Sequence, residues 1–207
     1  MHLLTAQVGG IEDGSEPVDL EQSPGDIVLL TSADTEIAGL ARAKRQLGDA
    51  VPSLRLASLL QLTHNFSVDL YVEQTLQRAR LIVLRLLGGP SYWRYGLDEV
   101  VRLARGSGIR LAVVPGTPYP DPVLDAYATV PKEACDRLWS YLVEGGPENY
   151  ENFLRYGGHL LGEGEAPAPA RPLPKAGLYW PGEAHLDLDT LRGHWIDEAP
   201  VDRKSVV

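Results

Sequence analysis

Short apolar runs separated by stretches of helical spacing organise most of the chain. The runs His2–Gln7, Ile27–Leu30, Leu54–Leu60, Leu81–Leu84 and Ile109–Val114 each predict a strand. Leu81–Leu84 is continuous rather than alternating, the pattern of a strand buried on both faces. Between them, apolar side chains recur at three- and four-residue intervals. Ile37, Leu40, Ala41 and Leu47 mark one helix, with Ser32 or Asp34 as its cap and Gly48 as its stop. Val68, Val72, Leu76 and Ala79 mark a second, which Ser67 is placed to cap, and Leu97, Val100, Val101 and Ala104 mark a third ending at Gly106 and Gly108. The connections are too long for hairpins and suit crossovers. The pattern therefore predicts an α/β fold, a doubly wound and mostly parallel five-stranded sheet with helices on both faces.

Beyond the fifth run the pattern changes. Pro131 is suited to open a helix bearing Ala134, Leu138, Tyr141 and Leu142, with Gly145-Gly146 as its stop. Pro147 opens another with Phe153, Leu154 and Leu161. These two extra helices are expected to pack on an edge or an open face of the sheet and to complete a domain over residues 1–161. Residues 162–175, rich in Gly, Pro and Glu, hold neither helix nor ladder and read as a semi-extended linker. A fresh strand over Ala176–Trp180 and a weak helical pattern over Leu186–Trp195 read as the stub of a second domain, residues 176–201. A piece of about thirty residues cannot build its own core.

The run at Leu81–Leu84 has the most chemistry around it. Arg85 interrupts it, Gly88-Gly89-Pro90 breaks the chain, and Tyr92, Trp93 and Tyr95 crowd the turn. An unpaired guanidinium in a core costs several kcal/mol, so Arg85 must end the strand or meet a carboxylate. Open parallel sheets bind ligands at the carboxyl ends of their strands. That rule gathers Asp34, Thr35, His64, Arg85, Tyr92 and Trp93 at one rim. The same residues also suit a plain strand–turn–helix joint whose aromatics cover the core.

Composition narrows the partners. A chain of 207 residues, 44% of them apolar, can bury about 70% of its unfolded surface without a metal or disulfide staple. Cys135 is the only cysteine, which excludes an internal disulfide and fits a reducing, cytoplasmic setting. Acidic residues outnumber basic ones 28 to 19, for a net charge of −9, which argues against non-specific nucleic-acid binding. No apolar run reaches the roughly 18 residues of a membrane span. There is no phosphate-binding glycine loop, nucleophile elbow, paired-histidine zinc helix or Cys-x-x-Cys pair. His185, Asp187 and Asp189 share one side of an extended chain, an arrangement that suits a solvated face better than a metal site.

Several stretches carry a family resemblance. They are the opening M-H-L-L-T-A-Q, Val18–Leu30, Ser32–Glu36, Pro52–His64, Ser67–Glu73, Arg80–Tyr95, Arg137–Asn149 and K-A-G-L-Y-W-P-G at Lys175–Gly182. Together they resemble the amino-terminal region of the large, CobN-type subunit of aerobic cobaltochelatase, which is related to the large subunit of magnesium chelatase. The resemblance implies a ligase of the cobalamin pathway that inserts Co(II), as substrate, into the tetrapyrrole hydrogenobyrinic acid a,c-diamide. It implies that two AAA+ motor subunits bind ATP and Mg and hydrolyse the nucleotide, while the large subunit holds tetrapyrrole and metal. It suggests Arg85, Tyr92 and Trp93 as a face for the tetrapyrrole's carboxylate and amide arms. It implies no bound cofactor and no catalytic residue within this stretch, so that the piece alone is inactive. Two other readings remain open: a magnesium-chelatase-type subunit, and a docking or scaffold domain for the motor subunits. After Ala199–Val201 the family pattern expects a hydrophobic strand. Asp202–Val207 depart from it and read as an artefactual tail closing a truncated chain.

Overall fold

The computed structural model describes residues 16–172, 177–183 and 186–194. The chain divides into two compact units, Met1–Arg171 and Pro172–Val207. In the first, four parallel strands form a sheet in the order β2-β1-β3-β4. They are β1 (Ile27–Thr31), β2 (Leu54–Ser58), β3 (Leu81–Leu86) and β4 (Arg110–Pro115). The sheet is thus four-stranded among the described residues, not five-stranded; the strand expected over His2–Gln7 lies outside them. β3 is an inner strand, and Leu81–Leu84 pair with Ile27–Leu30 on one side and Arg110–Val113 on the other.

The continuous apolar runs are explained by two buried faces. Val28, Leu30, Ile82, Leu84, Leu111 and Val113 pack towards one layer, which contains α2 (Asn65–Gln74) and α3 (Arg94–Ser107). Ile27, Leu29, Leu81, Val83, Ala112 and Val114 pack towards the other, built from α1 (Asp34–Leu47), α4 (Lys132–Glu144) and α5 (Gly146–Leu160). The two extra helices therefore complete a face rather than cover an edge. Gly157 lets α5 lie close on that face, since a Cβ there would come within 2.7 Å of the Ile27 side chain.

Local chemistry moved several helix starts. α1 begins behind Ala33 without a side-chain cap, because Thr31 rather than Ser32 or Asp34 turns the chain, its hydroxyl accepting from Ala33 N at 3.1 Å. Ser67 does not cap α2. It is buried, and its hydroxyl accepts from Val18 N at 2.7 Å, pinning the acidic loop that precedes β1. His64 takes the cap instead, with Nδ1 accepting from Phe66 N at 3.1 Å. β2 stops at Ser58, two residues before the expected end, where the chain turns into a short 3-10 segment at Leu59–Gln61.

The proline-rich stretch is bound, not free. Tyr141 donates its hydroxyl to Ala168 O at 2.6 Å, Arg137 donates to Pro167 O, and Asn149 exchanges two bonds with the Arg171 backbone at 2.8 and 2.9 Å. In the second unit, residues 177–180 have no strand pairing, which corrects the strand expected there. The helical pattern resolves into α6 (Leu188–Gly193), capped by Asp187 through Thr190 N at 2.7 Å.

Candidate functional site

The carboxyl ends of the strands were the expected place for a site, and β1 and β3 are where the topology divides. β1 leads to α1 on one face and β3 leads to α3 on the other. Such a divergence ordinarily leaves a ligand crevice. Here it is filled from within. Arg85 lies inside β3 and points, like Leu81 and Val83, into the α1–α4–α5 layer, where only 7% of it is exposed. Its guanidinium pairs with Glu36 of α1, itself 6% exposed, and also donates to Pro115 O at 3.2 Å and Gly116 O at 3.3 Å. The other Glu36 oxygen accepts from the Thr31 hydroxyl at 2.9 Å. One network thus ties together the ends of β1, β3 and β4. Burial lowers the Arg85 pKa, yet a guanidinium starts high enough to stay charged at neutral pH.

The remaining candidates separate. Trp93 is buried, and its indole N–H donates to Leu62 O at 2.7 Å, joining the β2 and β3 loops. Gly96 makes room for that ring; a Cβ there would come within 2.1 Å of it. Tyr92, Asp34 and Thr35 are exposed, and His64 is half-exposed and committed to its cap. The structure thus brings Arg85 to Glu36 and Thr31, and Trp93 to the core, without joining either to Tyr92 or His64 in a common cleft. Two cavities, of about 310 and 440 Å³, lie elsewhere. The first is at the amino end of the sheet beside Asp49, Pro52, Arg155 and Glu163, and the second lies along the β2 edge beside Lys44 and Arg55. Among the described residues no three His, Cys, Asp or Glu side chains converge to hold a metal ion. Asp187 is spent as a helix cap and Asp189 faces Arg192 at 3.5 Å, while His185 lies outside the described residues. No helix among the described residues is long and apolar enough to cross a membrane.

The rim has a second feature that pattern reading missed. Among the described residues of the first unit, every large exposed apolar side chain other than Val18 follows the carboxyl end of a strand. Leu60 and Phe66 follow β2; Leu87, Tyr92 and Tyr95 follow β3; Tyr119 and Val123 follow β4. Tyr119 is 75% exposed and Phe66 52%. Glu36 was also missed, because an acid in a first helical turn reads as an exposed partner of the helix dipole. Trp93 could have been separated from Tyr92, since Trp93, Leu97, Val100, Val101 and Ala104 follow one helical stripe.

The family resemblance holds in comparison with known proteins. The chain is 48% identical over 182 residues, 88% of its length, to the aerobic cobaltochelatase subunit CobN of a Sinorhizobium species. It is 43% identical over 202 residues, 97% of its length, to the aerobic cobaltochelatase subunit CobN of Pseudomonas aeruginosa. It spans 14% and 16% of the length of these curated relatives. Among solved structures it matches the catalytic subunit of cobaltochelatase from Mycobacterium tuberculosis with a TM-score of 0.59 and 22% identity, over 75% of this chain and 12% of that one. That likeness concerns the fold. No family model matches the chain.

Proposed function

Because the chain is homologous to a stretch of the CobN-type cobaltochelatase subunit, we propose that it forms a non-catalytic, amino-terminal domain of such a large subunit. The observation that carries this is the 48% identity over 88% of the chain. In this reading the complete subunit inserts Co(II) into hydrogenobyrinic acid a,c-diamide in the cytoplasm, using ATP hydrolysis by AAA+ partner subunits. The bonds are made in parts of the polypeptide other than this domain. The geometry supports a supporting role, since the crevice at the divergence of β1 and β3 is closed by Arg85 and Glu36. Arg85 is then a positioning residue that holds three strand ends together, rather than an anchor for a tetrapyrrole carboxylate.

The test is reconstitution. The complete subunit, mixed with motor subunits, ATP-Mg and Co(II), is offered hydrogenobyrinic acid a,c-diamide or, with Mg(II), protoporphyrin. Cobalt insertion is expected, and this chain in place of the complete subunit should give none. Magnesium insertion without cobalt insertion would assign the subunit to the magnesium-chelatase branch. The exposed apolar side chains of the rim, which folding of the domain does not use, favour contact with protein over contact with substrate there.

A further inference from the structure

We infer that the carboxyl rim of the sheet is the seat on which a further part of the same polypeptide docks. The inference rests on the proposed function, and three observations lead to it. First, Leu60, Phe66, Leu87, Tyr92, Tyr119 and Val123 are exposed at one end of the domain, on loops that follow three different strands. Side chains scattered singly need no explanation, but a collected group of this kind marks an interaction surface.

Second, the loops that carry them are braced into one platform. The Trp93 indole binds Leu62 O, which ties the β2 loop to the β3 loop. Gly116 lies so close to Leu87 that a Cβ would come within 2.7 Å of its backbone, which ties the β3 loop to the β4 loop. Trp139 of α4 donates to Thr117 O at 3.1 Å, and the Arg85–Glu36 pair lies beneath. A surface held this firmly keeps its shape for a fixed partner and spends little ordering energy on binding.

Third, the relatives are far longer than this domain, which spans 14% and 16% of them. A domain at that share of a polypeptide has most of its neighbours in the same chain, at high effective concentration. Tyrosine and phenylalanine with aliphatic side chains suit an apolar protein face.

The test uses the complete polypeptide carrying these residues. A photo-crosslinking aromatic amino acid is placed at Tyr119, at Phe66 or, as a control, at exposed Asp49 on the opposite end of the sheet. After irradiation, peptide mapping should find Tyr119 and Phe66 joined to residues of the same polypeptide outside the α/β domain, with loss of that product at Asp49. Joining to a second copy, joining only to motor subunits, or no joining from either rim position would each overturn the inference. Cobalt insertion by the same irradiation-free samples is measured in parallel. Absent insertion with intramolecular joining would remove the proposed function and leave the seat standing, whereas insertion without joining would remove only the seat.

Discussion

The two ends of the sheet handle charge and apolar surface in opposite ways. At the amino end the charges face water. Asp26 accepts from Ser53 and meets Arg80 at 3.5 Å, while Arg80 also pairs with Glu163 and donates to Leu161 O at 3.2 Å. The side chains of Asp26, Arg80 and Glu163 are each about one third to one half exposed. At the carboxyl end the ion pair is inside and the large apolar side chains are outside. Folding alone explains the first arrangement. The second leaves apolar surface in water, which is economical only if something else covers it.

If this contrast is right, mutations at the two ends have very different effects. Removing one partner of the buried pair, by Glu36→Ala or Arg85→Ala, should cost about 3–5 kcal/mol in urea unfolding, because an uncompensated charge is left inside. Replacing both partners with apolar residues, Glu36→Leu with Arg85→Met, should recover most of that loss. A double variant as unstable as the single ones would show that the pair contributes more than mutual compensation. The next largest effect is at Trp93. Trp93→Phe keeps the ring in the core but leaves Leu62 O without its donor, for a loss of about 1–3 kcal/mol.

The amino end should give less. Asp26→Asn is expected to change stability at neutral pH by no more than about 1 kcal/mol, since its ionic partners are exposed. Its pKa is lowered, chiefly by the Ser53 hydroxyl. The stabilisation is therefore present above the ordinary carboxylate value of 3.8 and is lost as pH falls through the lower folded value. Asp26→Asn should make the acid limb of the unfolding curve shallower, and an unchanged limb would remove Asp26 from the account. The smallest effect on stability is expected at the rim itself. Tyr119→Ser should stay within about 0.5 kcal/mol of the parent while reducing fluorescence of an apolar-surface dye.

The strands behind this contrast are legible in the sequence, and the rest is hidden for physical reasons. Ile27–Leu30 and Leu81–Leu84 were recognisable because burial on both faces removes alternation. That Arg85 must end the strand or meet a carboxylate followed from the cost of a buried charge. That Glu36 supplies it did not, because 49 residues separate them and only the packing of α1 on β3 joins them. His64 took the cap expected of Ser67 because the buried Ser67 hydroxyl was claimed by Val18 N from outside the helix, a long-range contact invisible to cap rules. Tyr119 and Val123 sit in a proline-rich loop without any period, so nothing local marked them as exposed. The strap at Pro167–Arg171 read as a linker because its binding to Tyr141 and Asn149 is supplied by helices, not by its own pattern.

The central claim is that the carboxyl end is a surface for protein and not a tetrapyrrole site. Titrating this chain with hydrogenobyrinic acid a,c-diamide tests it directly, with tryptophan emission as the readout, because Trp93 lies just beneath the rim. No saturable quenching is expected, in the parent and in Tyr92→Ala alike. Saturable one-to-one quenching in the parent that Tyr92→Ala weakens would contradict it and return the rim to ligand binding.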